Sequence, residues 1–374
     1  MARGEDGSVL ERLRAKRVCI CVGAGGVGKT TTSAALALGV AARGARVAVV
    51  TIDPAPRLAQ ALGLRELSSE PRPVDVAALT AEGARFDGEL WAMALDAKRT
   101  LDDAVRQLAP DRPARQEILA NPIYRELSSA LAGSQEMGAM VKLYELREQR
   151  SFDLIVLDTP PSRNAVDFIE TPTRLLGFLE GRALKVFLSP GGLAARMFGR
   201  SSALIFAIFA RVTGVDMLAD LSRFFRSLAG VIDAFGARTR AVASLLRDPS
   251  TTFLIVTSPE HAPAREARFL ARTLGERGML RGGLIVNRVH HLDGGGQHSP
   301  AAVQALLKER LGASLAARAA LNLAEFEQLA RRERDAIRRL SAELEEPDPV
   351  LVPDLEEDVH DLAGLAQVAG HLFS

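Results

Sequence analysis

Between Gly23 and Thr31 the chain reads Gly23-Ala24-Gly25-Gly26-Val27-Gly28-Lys29-Thr30-Thr31, a spacing suited to one kind of chemistry. Glycines let the backbone curl so that successive N–H groups face one concavity and bind phosphate oxygens. Lys29 is placed to neutralise the β- and γ-phosphates of a nucleoside triphosphate, and the Thr30 hydroxyl to ligate Mg²⁺. A chance Gly-rich turn would carry no particular flanks. Here a strand-like run, Arg17–Val22, precedes the loop, and an Ala-rich helical pattern over Lys29–Arg43 follows it. Strand, loop and helix in that order are the context this motif requires.

Four further segments supply groups such a site needs. Asp53 follows the apolar run Val47–Ile52, where a carboxylate either orients a water for in-line attack on the γ-phosphate or caps a helix. Phe152-Asp153-Leu154-Ile155-Val156-Leu157-Asp158 is a buried-strand run ending in an acid, the Walker B pattern, which puts Asp158 on Mg²⁺ directly or through water. The polar, proline-stiffened Thr159-Pro160-Pro161-Ser162-Arg163-Asn164 then occupies the position of a γ-phosphate-sensing switch. Asn287 carries a donor and an acceptor suited to an adenine edge, and Pro353 lies in a strand-end loop where a base could stack. Each signal is weak alone; in this order, after a phosphate loop, they reinforce one another.

Two other clusters have simpler readings. His290, His291, Asp293 and His298 surround Gly294-Gly295-Gly296. Imidazoles and a carboxylate suit zinc, but irregular spacing and glycine fit a polar loop better. Cys19 and Cys21 alternate on the first strand and read as small core residues rather than a disulfide or a metal clasp.

The elements that must hold these residues follow an α/β pattern. Besides the first strand, apolar runs at Val47–Ile52, Leu90–Leu95, Leu154–Leu157, Phe253–Thr257, Leu284–Val289 and Val350–Val352 alternate with helical patterns. Their lack of polar alternation predicts strands buried on both faces of a mostly parallel central sheet flanked by helices. Ligands of such sheets collect at the strands' carboxyl ends, where most of the residues named above fall.

Two intervals are too long for crossovers. Leu101, Val105 and Leu108 share a helical face in the first, and nine of the fifteen phenylalanines fall in the second. The chain is therefore expected to be one P-loop domain, with a core over about 17–96, 150–165 and 250–374 and an inserted helical subdomain from about 97–149 and 165–248. That subdomain is a second small core or, on the sharper reading, a groove for an apolar client. Over Ala316–Glu345 a charged helix is expected, with Leu321, Phe326, Leu329, Ile337, Leu340 and Leu344 as its packed stripe.

At 374 residues, 47% hydrophobic, 25% charged and a net charge of +1, the composition lacks the basic surplus of a general nucleic-acid binder. The most apolar run, Ala203–Ala210, is bracketed by Arg200 and Arg211 and is too short to span a bilayer. With no charged-then-apolar leader at Met1–Lys16, the expectation is a cytoplasmic protein with reduced cysteines and at most peripheral membrane association.

Taken together the chain resembles the ArsA-type ATPases, the arsenite-pump and guided-entry family within the deviant Walker A class. The resemblance rests on Gly25–Thr31, Thr51-Ile52-Asp53-Pro54-Ala55, Asp158-Thr159-Pro160-Pro161, Thr257-Ser258-Pro259-Glu260, the Asn287 segment and Val352–His360. It implies ATP and Mg²⁺ as cofactors and a dimer whose nucleotide sites face each other and whose helical subdomains bind a client. By the same resemblance Asp53 positions the attacking water, Thr30 and Asp158 serve Mg²⁺, and Asn287 reads adenine.

The chain departs from the family at three places. The signature lysine falls at Ala24, which cannot supply charge to the transition state. The zinc-binding CxxC of the eukaryotic members is absent, and the switch differs in sequence. Arg163 is a candidate for the missing charge, although a solvated loop arginine is the commoner fate. The resulting expectation is an ATPase weak on its own, paired as a homodimer or as a heterodimer with a lysine-bearing paralogue. The alternatives are a nucleotide-gated binding module with negligible turnover, or a targeting factor for apolar membrane-protein helices. Arsenite transport is disfavoured, because Cys19 and Cys21 lie on a buried strand rather than in a thiol cluster.

Overall fold

The computed structural model describes residues 9–53, 57–81, 85–109, 111–122, 124–125, 128, 135–149, 151–160, 169–174, 176–177, 231–290 and 299–374. Its strands are β1 (Val18–Gly23), β2 (Arg46–Thr51), β3 (Arg72–Pro73), β4 (Glu89–Ala94), β5 (Leu154–Asp158), β6 (Thr251–Thr257), β7 (Arg281–Val289) and β8 (Val350–Pro353). Its helices are α1 (Val9–Leu13), α2 (Lys29–Ala42), α3 (Arg57–Ala61), α4 (Ala77–Ala81), α5 (Ala97–Leu108), α6 (Arg112–Ala120), α7 (Gln135–Gln149), α8 (His261–Glu276), α9 (Pro300–Glu343) and α10 (Leu362–Leu372).

The strands form one eight-stranded sheet in the order β3-β4-β2-β5-β1-β6-β7-β8. β1 lies parallel between β5 and β6, and the pairs β2–β5, β6–β7 and β7–β8 are also parallel. β3, too short to be anticipated from sequence, pairs antiparallel with β4. Every residue of β1, β5 and β6 is buried, which is why these runs show no polar alternation.

Small residues let α2 lie deep. Eleven of its fourteen residues are buried, and it joins one apolar core with the strands and with Leu365, Val368, Ala369 and Leu372 of α10. A Cβ on Gly39 would stand 2.1 Å from the Phe373 ring, so the glycine sets how closely the chain end packs on α2. α1 is tied to the far edge of the sheet: Arg12 pairs with Glu346 and donates to the Asp348 carbonyl at 2.8 Å.

The chain divides into two compact units, one of residues 1–93, 152–165 and 249–374 and the other of 94–151 and 166–248. In the second, Asp96 and Asp111 cap α5 and α6 by accepting from the backbone N–H groups of Arg99 and Ala114. Leu101 and Val105 are buried and Leu108 half-buried, on the predicted face; Val105 packs with Ile118, Tyr124 and Val231. Of the nine phenylalanines of the second interval only Phe235 is among the described residues.

α9 corrects the expected packed stripe. The helix begins at Pro300 rather than near Ala316 and breaks at Gly312, whose φ of 77° no helix accommodates. Ile337, Leu340 and Leu344 are buried as expected, but Leu321, Phe326 and Leu329 are exposed, the first at 58%. Small residues, Ala316, Ala320 and Ala330, take the inward positions instead. Among the described residues no helix is long and apolar enough to cross a membrane.

Candidate functional site

The site forms where β1, β2 and β5 end side by side. A Cβ on Gly23 would stand 2.0 Å from the Val256 carbonyl oxygen, so only glycine lets the chain leave β1 beside β6. Gly26 (φ 79°) and Gly28 (φ 87°) take left-handed conformations that turn the loop into α2. Gly28 is the N-cap and brings no side-chain hydrogen bond to the first turn, and no acidic residue follows there. An uncapped helix N-terminus with glycines before it offers its N–H groups to an anion. Ala24 and Val27 are buried, whereas Gly25 and Gly26 are exposed at the loop's crest, and Thr31 follows on the first turn of α2.

Lys29 reaches back across this loop: its Nζ, buried, donates to the Ala24 carbonyl at 2.7 Å. Burial pulls its pKa below the ordinary lysine value, and the Asp158 and Asp53 carboxylates oppose that shift. The same three groups, from α2, β5 and the end of β2, therefore act on one another, as the sequence pattern anticipates.

Asp158 is the most constrained of them. It is fully buried, and its Oδ2 accepts from Thr30 Oγ1 at 2.8 Å and from Thr51 Oγ1 at 3.0 Å. Its Oδ1 is buried with no hydrogen-bond partner among the described residues. Burial pushes the carboxyl up to about 6, held there against the two threonine hydrogen bonds and the Lys29 charge. A carboxylate oxygen buried without a partner, beside a threonine hydroxyl, is the hard oxygen donor set that Mg²⁺ takes. The residues present fit that ion.

Asp53 lies a quarter exposed at the rim, with Arg57 Nη1 4.0 Å from its carboxylate and its backbone N–H donating to Thr51 Oγ1 at 3.2 Å. Thr51, quoted in the motif but given no role by the sequence, joins Asp53 to Asp158. Its partnership follows from register, since Thr51 and Asp158 are paired across β2 and β5. Thr159 was likewise missed as a structural tie; its hydroxyl donates to the Cys21 carbonyl at 2.7 Å and fixes the start of the switch against β1. Pro160 is buried beside it, and the rest of that switch, 161–164 with Arg163, lies outside the described residues.

Asn287 comes to the opposite flank of the loop. Its Nδ2 donates to the Val27 carbonyl at 2.9 Å, and a Cβ on Gly28 would stand 2.2 Å from the same nitrogen. The amide retains a second N–H and a carbonyl oxygen for another group. Pro353 pairs with Val289 across β7 and β8, so both proposed base contacts sit at neighbouring strand ends.

Cys19 and Cys21 are free and buried, as read from sequence, and the neighbouring Cys21 thiol together with burial raises the Cys19 pKa well above the ordinary thiol value. His290 meets Glu333, while His291, Asp293 and His298 lie outside the described residues. Among the described residues no group of three or more His, Cys, Asp or Glu side chains could hold a metal ion.

The family model described as Anion-transporting ATPase matches residues 16–294, from the strand before the phosphate loop to just beyond Asn287. An uncharacterized protein of Streptomyces coelicolor is 28% identical over 256 residues, covering 68% of this chain and 58% of that protein. A Halobacterium salinarum protein, provisionally named an arsenical pump-driving ATPase, is 27% identical over 336 residues, covering 88% of this chain. The chain spans 58% and 42% of the length of these two relatives. With the family model matching well over half of its length, across a mostly parallel sheet that carries the phosphate loop, the chain belongs to the ArsA-type anion-transporting ATPase family.

Proposed function

We propose that the protein is a Mg²⁺-dependent ATPase that works as a nucleotide-switched dimer. The observation that carries this reading is the Thr30–Asp158–Thr51 cluster, with Asp158 Oδ1 buried and unpartnered beside the buried Lys29. The N–H groups of Gly23–Thr31 and the first turn of α2 bind the phosphates, and Lys29 exchanges the Ala24 carbonyl for a phosphate oxygen. Thr30 and Asp158 would hold Mg²⁺, which would supply charge neutralisation to the bound phosphates. Asp53 orients the attacking water and accepts its proton, with Arg57 and the Thr51 hydroxyl fixing its place. Asn287 reads the adenine edge while the base packs on Pro353.

Ala24 sets the rate. Its methyl brings no cation to the charge that builds on the transferring phosphoryl group, a contribution that in related chemistry is worth about 10³–10⁵ in kcat. Turnover then depends on a group from a second polypeptide, in a homodimer or with a lysine-bearing paralogue. Opening and closing of that dimer would reshape the helical unit, where an apolar client would bind, in the cytoplasm. Ala24 also favours a second reading, a binding module that retains ATP with negligible hydrolysis.

An Ala24→Lys variant tests the rate argument. Steady-state phosphate release should rise at least tenfold over the parent at saturating Mg²⁺ and ATP. Equal rates in the two proteins, with equal ATP affinity, would defeat it.

A further inference from the structure

Asn287 reaches the phosphate loop because β7 is irregular at that point. Val286 pairs with Leu351 and Val289 with Pro353, so β7 spends three steps where β8 spends two. The extra residue is a bulge, a device that re-aims a side chain at a strand end. Arg288 follows Asn287 with φ at 58°, a left-handed conformation that a non-glycine residue holds only when its neighbours enforce it.

Two contacts hold the residues that follow it. On the β8 side the Asp354 N–H donates to the Val289 carbonyl at 3.0 Å. On the other side α9 supplies Glu333, which grips the next residue twice. Its Oε2 accepts the His290 backbone N–H at 2.9 Å, and its Oε1 lies 2.8 Å from the His290 ring Nδ1. The Phe326 ring meets the imidazole edge-on at 5.3 Å. With its side chain only 13% exposed, Glu333 has given up most of its water for this grip, unlike an ordinary surface ion pair.

We propose that Glu333, acting through His290, is a positioning residue that holds the β7 bulge in register and so keeps Asn287 aimed at the nucleotide, contributing to base specificity. The proposal rests on the reading of Asn287 as the base contact. Without Glu333 the His290 N–H loses its acceptor and the strand end can slide by a residue. A slip of one residue reverses the face each side chain occupies and turns Asn287 away from Val27. Asn287 meets the phosphate loop at the Val27 carbonyl, an acceptor that binds no phosphate, so the effect should fall mainly on the base.

The test compares ATP with tripolyphosphate, which offers phosphates and no base, each with Mg²⁺, by calorimetric titration of the full chain. Glu333→Ala should weaken ATP binding about tenfold and tripolyphosphate binding less than about twofold. His290→Ala, which keeps the backbone hydrogen bond, should weaken ATP by about threefold. Glu333→Gln retains an acceptor for the His290 N–H and a donor for its ring, so it should bind ATP nearly as the parent does. Asn287→Ala serves as the reference and should reproduce the base-selective loss. If Glu333→Ala weakens both ligands alike, or neither, while Asn287→Ala weakens ATP alone, the positioning role is refuted and the base contact stands. If Asn287→Ala spares ATP binding, the base reading itself fails and takes the proposal with it.

Discussion

Replacing Asp158 by Asn should stabilise the ligand-free protein while abolishing its response to Mg²⁺ and ATP. The carboxyl, pushed up to about 6 by burial, is ionised at pH 7.5 inside a site that resists the charge. At 1.36 kcal/mol per pH unit, keeping it ionised in the folded chain costs about 3 kcal/mol. The asparagine amide keeps one oxygen for Thr30 and Thr51 but puts an N–H where the unpartnered Oδ1 stands. That buried donor costs about 1–2 kcal/mol, leaving a net gain of about 1–2 kcal/mol. The sign of the pH dependence follows from the raised value. The folded chain binds the proton more tightly than the unfolded chain, so the parent loses stability as pH rises from about 4 through about 6. The parent's deficit of about 3 kcal/mol at pH 7.5 should therefore be about half that at pH 5.

Urea denaturation in EDTA at the two pH values measures this directly. Adding Mg²⁺ and ATP at about a hundred times the parent's Kd should stabilise the parent by about 2.7 kcal/mol and the variant by nothing, reversing their order. An Asn variant less stable than the parent in EDTA at pH 7.5, or a stability difference that stays constant with pH, would show that the buried Asp158 charge does not destabilise the ligand-free fold.

Three other outcomes are expected. Gly28→Ala forces a Cβ into a left-handed position and to 2.2 Å from Asn287 Nδ2; ATP affinity by titration should fall at least tenfold. Gly23→Ala meets the Val256 carbonyl at 2.0 Å and should lower stability by about 3 kcal/mol in urea melts, more than Gly28→Ala, because β1 cannot move away from β6. Arg12→Ala leaves the Glu346 carboxylate, 13% exposed, without its guanidinium partner; a loss of about 2 kcal/mol is expected, with partial recovery in Arg12→Ala/Glu346→Ala and no change in ATP affinity.

Most of the sheet is legible in the chain because burial on both faces writes continuous apolar runs. The runs at Val47–Ile52 and Leu154–Leu157 match β2 and β5 to within a residue or two. The phosphate loop is legible because glycine is required at fixed places, Gly23 by the approach of β6 and Gly28 by its φ. What depends on register is not. Thr51 meets Asp158 only because β2 and β5 align as they do, and the bulge that turns Asn287 toward Val27 leaves no compositional mark. In the sequence Glu333 is one charge in the run Arg331-Arg332-Glu333-Arg334-Asp335, and forty-three positions separate it from His290. The outward Leu321, Phe326 and Leu329 show the opposite error, in which helical spacing was met but the alanines took the core.

Whether this loop binds ATP for hydrolysis or for storage is decided by single-turnover release of phosphate from γ-labelled ATP bound to the purified chain. Slow release that requires Mg²⁺ and is abolished by Asp53→Asn is expected of an ATPase. Bound ATP that stays intact over many hours with Mg²⁺ present, or release that Asp53→Asn leaves unchanged, would contradict that reading.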